Sequence, residues 1–455
     1  KLGNPDVTKT ENIKSANYGK LVNGVVERGT HIHEDDVLIG KYLTVPKGTG
    51  RDAKSTYVDR SVVYRDTEEA IVQNVIVDRN EDAMRFAKVG MRKIRPMAVG
   101  DKLCLTGDHE ILTKAGWQSI ADITKDTVVA TLNNGILEWH MPTDVYTFDH
   151  KDKLYEINNG LISLKTTMNH KMYVKRTPTG PFALEEAKDI QGLKVWYKRD
   201  CINKNRDSET VTIPQVGLPW KVGRNTSPSL TFSANDWLTL VGIYLSEGHI
   251  DDAGNLRLSV HKPKVKAVVD PLLQRMDLVA TISHGEENYR YIEKHQVYNY
   301  FVNLMPLNNK YIPNIYLSMG PKNSKTLFDA LVLGDGCYNE KNNSWEYCSN
   351  SKFLIDGVQI LSIMAGLSAS ITIKNLKGAI VDINGHETLC SETQYRAYIT
   401  SDQSSMQPPS DYKDFFEIID EKFDGYVYCL EIPNHIFMTR RNDKYCWTGN
   451  SSRSG

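Results

Sequence analysis

The chain has 455 residues and is 40% hydrophobic, enough for two or three globular domains, and nothing in it reads as disordered overall. Its formal net charge of -1 excludes a global basic field, so any nucleic-acid contact must come from local Lys and Arg clusters. No apolar run approaches the ~18 residues of a membrane span, and seven cysteines without a CxxC pair exclude a disulfide framework and a structural zinc site.

These limits predict a soluble, intracellular protein with free thiols and no membrane partner. Lys1 in place of an initiator Met and the abrupt stop at Gly455 read as the ends of a fragment.

From Lys1 to Leu103, short apolar runs alternate with turn residues, as in Leu21-Val22-Asn23-Gly24 and Ala70-Ile71-Val72-Gln73-Asn74-Val75. Period-two alternation broken by Asn-Gly predicts a β-rich domain. A basic stretch with Lys88, Arg92, Lys93, Arg95 and Lys102 closes it, either as a solvated strand face or as a phosphate contact. The wording ANYGKLVNGVVERGTHIHEDDVLIGKYLTVPK, then AVGDKL, then SSRSG after a long gap, resembles the second-largest subunit of multisubunit RNA polymerases of eukaryotic or large-DNA-virus type. In that family the last two pieces are continuous, so residues 104–450 interrupt them, and Leu103 stands where Phe is usual. The resemblance implies that Arg95 and Lys102 lie near the RNA 3′ end and the incoming nucleotide. It also implies other polymerase subunits, DNA and RNA as partners, in the nucleus or at a site of viral transcription.

Residues 104–205 begin with CLTGDHEILTKAGWQSIADITKDTVV, short strands with a hairpin at Ala115-Gly116-Trp117. This run resembles the first conserved block of inteins, whose fold is the all-β Hint horseshoe. Thr167-Met168-Asn169-His170 matches the family's second block, in which Thr167 and His170 aim at one carbonyl; by itself the pattern is equally a surface turn. Asn203 to Asn235 is rich in Ser, Thr, Pro, Gly and Asn and reads as a linker.

Two helical patterns follow, each ending in an acid and a glycine: Leu240 to Glu247-Gly248, and Leu327 to Asp335-Gly336. One alone is an ordinary helix end. Two read as an internal repeat in which the small residues Gly242 and Ala330 let the helices close up and bring Glu247 and Asp335 together. Both segments resemble the LAGLIDADG motif of homing endonucleases. The resemblance implies an α+β endonuclease domain over residues 206–406 that cuts double-stranded DNA, with Mg²⁺ held by the repelling carboxylates Glu247 and Asp335. It also makes Lys310 the residue that polarises water or offsets charge; the alternative is an exposed strand end. Lys262 and Lys264 are candidate DNA-backbone contacts or members of a solvated face. Ser351 to Gly366 reads as a capped amphipathic helix.

From residue 407 to 450 the β character returns, with Cys429 and His435 around a turn at Asn434-His435, in a stretch resembling the intein block that supplies an acid or thiol and a His. The fold expected is therefore mixed: an all-β polymerase segment (1–103), and an all-β Hint horseshoe (104–205 and 407–450) split by the endonuclease, with 451–455 returning to the host. Splicing needs no cofactor. Cys104 attacks the Leu103 carbonyl, Ser451 takes over the acyl group, and Asn450 cyclises to release the insert. Gly449 stands where most inteins carry a His that assists cyclisation, and His435 is the candidate substitute. A polymerase segment carrying a splicing element with an inactive endonuclease is the alternative. A Hint domain that hands its acyl group to an outside nucleophile is a third reading, and Asn450-Ser451 counts against it.

Overall fold

The computed structural model describes all residues except 7, 48–53, 67–68, 80–83, 93–103, 215–227, 251–255, 279, 283–286, 293–294, 306–309, 384–385, 402–403, 407–415, 421 and 451–455. Arg95, Lys102, Leu103 and Ser451 therefore lie outside the described residues. The chain divides into two compact units, Lys1–Val99 and Gly100–Gly455.

The first unit is built of short strands and the long antiparallel pair Ala70–Arg79 and Arg85–Arg92, around a core that includes Val26, Ile32, Val37 and Val72. The expected Asn23-Gly24 turn is present: both residues have positive φ, 52° and 87°, which only short polar residues and glycine adopt readily.

In the second unit, β1 (Leu105–Thr106) lies between β2 (Ser163–Thr167) and β4 (Gly425–Glu431) in a six-stranded sheet completed by Asp144–His150, Leu154–Asn158 and Phe416–Asp420. A ten-stranded sheet holds β3 (Lys171–Lys175) beside β6 (Lys444–Gly449), which pairs with β5 (Ile436–Arg441). Strands from both ends of the unit are thus interleaved in both sheets. The strands flanking Asn434-His435 do meet at a turn, with His435 at φ 58°, but they do not pair; the turn passes the chain from one sheet to the other.

Between these halves stand α1 (Ala234–Glu247), α2 (Pro263–Arg275), α3 (Pro321–Asp335) and α4 (Lys352–Met364). Helices α1 and α3 are each followed by a four-stranded sheet. The first has the order Gly248–Ile250, Leu256–Ser259, Tyr289–Ile292, Ala280–Thr281, and the second Gly336–Asn339, Ser344–Ser349, Gln394–Thr400, Ser368–Asn375. In chain order both run first, second, fourth, third, with α2 or α4 between the second and third strands. The internal repeat is therefore one of topology as well as of motif. The architecture is mixed, with β-sheets predominating and, among the described residues, the long helices lying within this repeat.

The linker-like stretch after Asn203 holds regular structure among its described residues. Thr210–Ile213 pairs with Leu230–Ser233, and Asp207 Oδ1 accepts from the Asn323 amide at 2.8 Å, supplying α3 with the N-terminal acceptor that Gly320 lacks. Strand Ser404–Met406 pairs with Trp196–Lys198, so the chain rejoins the ten-stranded sheet just before residue 407.

Candidate active sites

Cys104 precedes β1, and its backbone sits within the turn that ends β2. Its amide donates to Thr167 Oγ1 at 3.0 Å, and its carbonyl accepts from the Thr167 amide at 3.0 Å. That amide is the nitrogen of the Leu103–Cys104 peptide bond, so Thr167 holds the atom that would leave if Cys104 attacked the Leu103 carbonyl. His170, three residues on, donates its amide to the Thr167 carbonyl at 3.0 Å and is 1% exposed. Its Nε2 lies 2.7 Å from Thr448 Oγ1 on β6. Two residues further along is Asn450.

The register of β1 on β4 sets Leu105 with Tyr428 and Thr106 with Val427, and one step further along it Cys104 would fall opposite Cys429. Both sulfur-bearing side chains are buried in one apolar cluster with Leu154 and Val427.

At the other border, the Asn450 amide donates to the His435 carbonyl at 2.9 Å, and its Nδ2 donates to the Ile432 carbonyl at 3.1 Å. His435 Nδ1 lies 3.2 Å from Asn450 Oδ1. The carboxamide nitrogen thus donates to a carbonyl, and its oxygen lies beside the imidazole; with Nδ1 carrying the proton, His435 would donate to Oδ1 and polarise the carboxamide. Gly449 has a steric reason. A Cβ there would lie 2.7 Å from both the Lys171 carbonyl and Leu184 Cδ2, so β6 reaches β3 only without a side chain.

The second site lies where α1 and α3 end. A Cβ on Gly242 would stand 2.5 Å from Ala330 Cβ, and one on Gly334 would stand 2.4 Å from Ser246 Cβ, so the helices touch backbone to backbone. Glu247 and Asp335 close the two helices side by side. The glycines after them are not left-handed caps: Gly248 and Gly336 have φ of -100° and -95° and lead straight into strands. Glycine is required because a Cβ would meet Tyr244 Cα or Val332 Cα at 2.7 Å.

Lys262, at the start of α2, reaches between the carboxylates. Its Nζ donates to Glu247 Oε1 at 2.6 Å, to the Gly334 carbonyl at 2.8 Å and to Asp335 Oδ1 at 3.3 Å. Burial pushes the Asp335 carboxyl above its ordinary value, against the pull of Lys262. Burial likewise lowers Lys310, although Asp335 and Glu247 draw it back. Lys310 and Asp335 line one cleft of about 1090 Å³ with His249, Lys352 and Lys374. Three oxygens converging on one positive point form a donor set that suits a hard divalent ion, and Glu247 and Asp335 are the residues that would hold it. Lys264 lies on α2 and is exposed, away from these contacts.

Residues 2–109 match the family model described as RNA polymerase Rpb2, domain 6. The front of the chain is thus similar to that Rpb2 domain. That segment is 36% identical over 99 residues to DNA-directed RNA polymerase subunit 2 of Acanthamoeba polyphaga mimivirus, covering 22% of this chain and 8% of that protein. Two other relatives match far more of the chain. An ATP-dependent Clp protease proteolytic subunit of Chlamydomonas moewusii is 24% identical over 465 residues, covering 77% of this chain and 46% of the relative. A DNA-directed RNA polymerase subunit beta C-terminal section of Stigeoclonium helveticum is 28% identical over 411 residues, covering 77% and 37%. The chain thus spans less than half the length of these curated relatives. Among solved structures, a splice-inactive AceL NrdHF class 3 split intein aligns with 77% of this chain and 99% of its own at 10% identity and TM-score 0.26. I-DmoI in complex with DNA and Mn aligns with 37% and 90% at 14% identity and TM-score 0.26.

Beyond the Rpb2 segment, several site residues carry no sequence signal. Thr448 and the Ile432 carbonyl are common groups whose role comes only from strand register. Cys446 is fully buried, and burial pushes its thiol up to about 12, which leaves it inert. Asp108 is held well below the carboxylate range; burial opposes this, and hydrogen bonds from His109, Thr106 and Arg441 outweigh it.

Proposed function

We propose that residues 104–450 are an intein-type guest that excises itself from an RNA polymerase subunit and joins Leu103 to Ser451, and that its helix pair is the centre of a DNA endonuclease. The observation that carries the reading is the hydrogen-bonded path Cys104 to Thr167 to His170 to Thr448, which brings both borders of the segment into one centre. The Cys104 thiolate adds to the Leu103 carbonyl, and the bond to the Cys104 nitrogen breaks as that nitrogen, held by Thr167, gains a proton. The Ser451 hydroxyl oxygen then attacks the thioester carbonyl, its proton passing to the departing Cys104 sulfur as the C–S bond breaks, and holds the acyl group as an ester. Asn450 Nδ2 attacks its own backbone carbonyl, Ser451 nitrogen leaves with a proton, and His435 attends the carboxamide. An O-to-N shift then forms the new peptide bond. Cys429, facing Cys104, serves the sulfur rather than the amide. No step calls for a cofactor.

The comparisons support a guest. A protease subunit and a polymerase subunit each match 77% of the chain, about the share that residues 104–450 occupy, while polymerase subunits such as that of the mimivirus match 22%. Proteins of unrelated function share a long segment when that segment moves independently of its host.

The endonuclease reading rests on Glu247 and Asp335 side by side at the ends of packed helices, with Lys310 in the adjoining cleft. A divalent ion such as Mg²⁺ held there supplies charge neutralisation and an activated water for phosphodiester hydrolysis. The partners are double-stranded DNA for the guest, and other polymerase subunits, DNA and RNA for the host, in which Arg95 and Lys102 contact nucleic acid. The setting is intracellular, in the nucleus or at a site of viral transcription.

Mass spectrometry of the expressed chain tests splicing. A ligated Rpb2 segment beside the free guest is expected, and Cys104→Ala and Asn450→Ala each stop ligation. Ligation in either variant overturns the assignment. Incubating the excised guest with Mg²⁺ and a plasmid bearing the uninterrupted gene tests cleavage. Uncut plasmid leaves the second reading, splicing with an inactive endonuclease, which the lysine seated between the carboxylates favours.

A further inference from the structure

Lys262 reads from sequence as a contact to the DNA backbone, and the structure places its ammonium elsewhere. It bonds three oxygens, from Glu247, Asp335 and the carbonyl of Gly334, at 2.6, 3.3 and 2.8 Å. The first two are carboxylates that the α1–α3 packing forces together, and the third is a backbone group whose position is set by the same close approach. We infer that Lys262 is the resident counter-cation of the carboxylate pair, and that a divalent ion binds Glu247 and Asp335 only by displacing it. This rests on the endonuclease reading of the site and adds a competitor to it.

The physical argument has three parts. Two carboxylates at the ends of closely packed helices repel each other, and Gly242 and Gly334 allow α1 and α3 to approach so closely that the two charges stay side by side. Helix C-termini also present partial negative charge, which deepens the need for a cation. Lys262 answers it from outside the helix pair: it sits at the start of α2, its side chain is 44% exposed, and its long stem is free to swing outward. A divalent ion drawn to the same oxygens must contend with a tethered single charge at high effective concentration. Lys310 differs. It lies in the cleft near Asp335 and makes none of these three bonds, so an ion at the carboxylate oxygens need not break a Lys310 contact to them.

The test uses the full chain held as one piece by Cys104→Ala and Asn450→Ala, with Mn²⁺ as the probe and free Mn²⁺ read by electron paramagnetic resonance. Lys262→Met is expected to bind Mn²⁺ about tenfold more tightly than the Lys262 protein, while Lys262→Arg, which keeps the charge, stays near it. Without metal, Lys262→Met melts below the Lys262 protein, and Mn²⁺ raises its Tm by more. Glu247→Gln with Asp335→Asn abolishes binding in every background. Equal Mn²⁺ affinity in Lys262→Met and the Lys262 protein, with binding still lost in the carboxylate variant, overturns the displacement and leaves the metal site standing. Failure of all variants to bind Mn²⁺ overturns both.

Discussion

Asn450 and His435 are joined twice: the backbone amide of Asn450 donates to the His435 carbonyl at 2.9 Å, and the His435 imidazole lies 3.2 Å from the Asn450 carboxamide oxygen. In the proposed splicing reaction the residue that cyclises is thereby locked to the residue that polarises it. His435→Ala is expected to slow release of the guest by about 10²- to 10⁴-fold while leaving thioester formation intact, so the branched ester accumulates on gels. Gly449→His does not rescue it, because any Cβ at 449 drives into the Lys171 carbonyl. Rescue by that double variant sinks the steric account of Gly449.

Thr167 holds the amide nitrogen that departs in the first step. Thr167→Val keeps the shape of the side chain and leaves the buried Cys104 amide without its acceptor, costing about 1–3 kcal/mol locally. Cleavage at Leu103 by added thiol, which reads the thioester, is expected to fall sharply. Cyclisation at Asn450 is set by other contacts and is affected less. A Thr167→Val protein that forms thioester at the unsubstituted rate removes Thr167 from the mechanism.

Much of this site was legible because the chemistry dictates residue types at the borders: a thiol after one seam, and an amide side chain before a hydroxyl at the other. The repeat was legible for the same kind of reason, since Gly242 and Ala330 permit a contact that large side chains forbid. What was not legible depends on register and on neighbours far away in sequence. Thr448 matters because Met172 of β3 pairs with it, which brings His170 within reach. The glycines after Glu247 and Asp335 suggested ordinary helix caps and instead answer to a steric squeeze at Tyr244 and Val332. Lys262 had the composition of a backbone contact and the position of a counter-ion.

Two buried thiols make the protein sensitive to alkali. Burial raises Cys446 and Cys201 from 9.0 to about 12, so the native state keeps both protons where the unfolded chain has already lost them. A raised pKa stabilises fully below the unfolded value and less above it. Between pH 9 and 12 each thiol therefore removes about 1.4 kcal/mol of stability per pH unit. Melting curves from pH 8 to 10.5 should show Tm falling less steeply in Cys446→Ala than in the unsubstituted chain, even though the variant starts lower. Parallel slopes sink the assignment.

The helical insertion, residues 206–406, is not a loop-borne passenger on the β-sheets around it, although loop-closure entropy alone permits one. Arg440 of β5, 1% exposed, bonds Glu110 beside the first junction at 2.7 and 2.8 Å, and also Asp356 and Gln359 of α4 at 2.5 and 3.1 Å. Met438, Tyr445 and Trp447 of the β5–β6 pair share one core with α1, α3 and α4. Removing one partner of such a buried network costs about 3–5 kcal/mol. Arg440→Met is thus expected to lower Tm and slow splicing together, though among the described residues Arg440 bonds none of Cys104, His170, His435 and Asn450. Replacing residues 206–406 by a short linker bares the face that α4 covers, and splicing is expected to fail with Cys104, His170, His435 and Asn450 all retained. Normal splicing by that shortened chain, read by the mass of the ligated product, shows the two halves to be independent and refutes the shared core as a requirement.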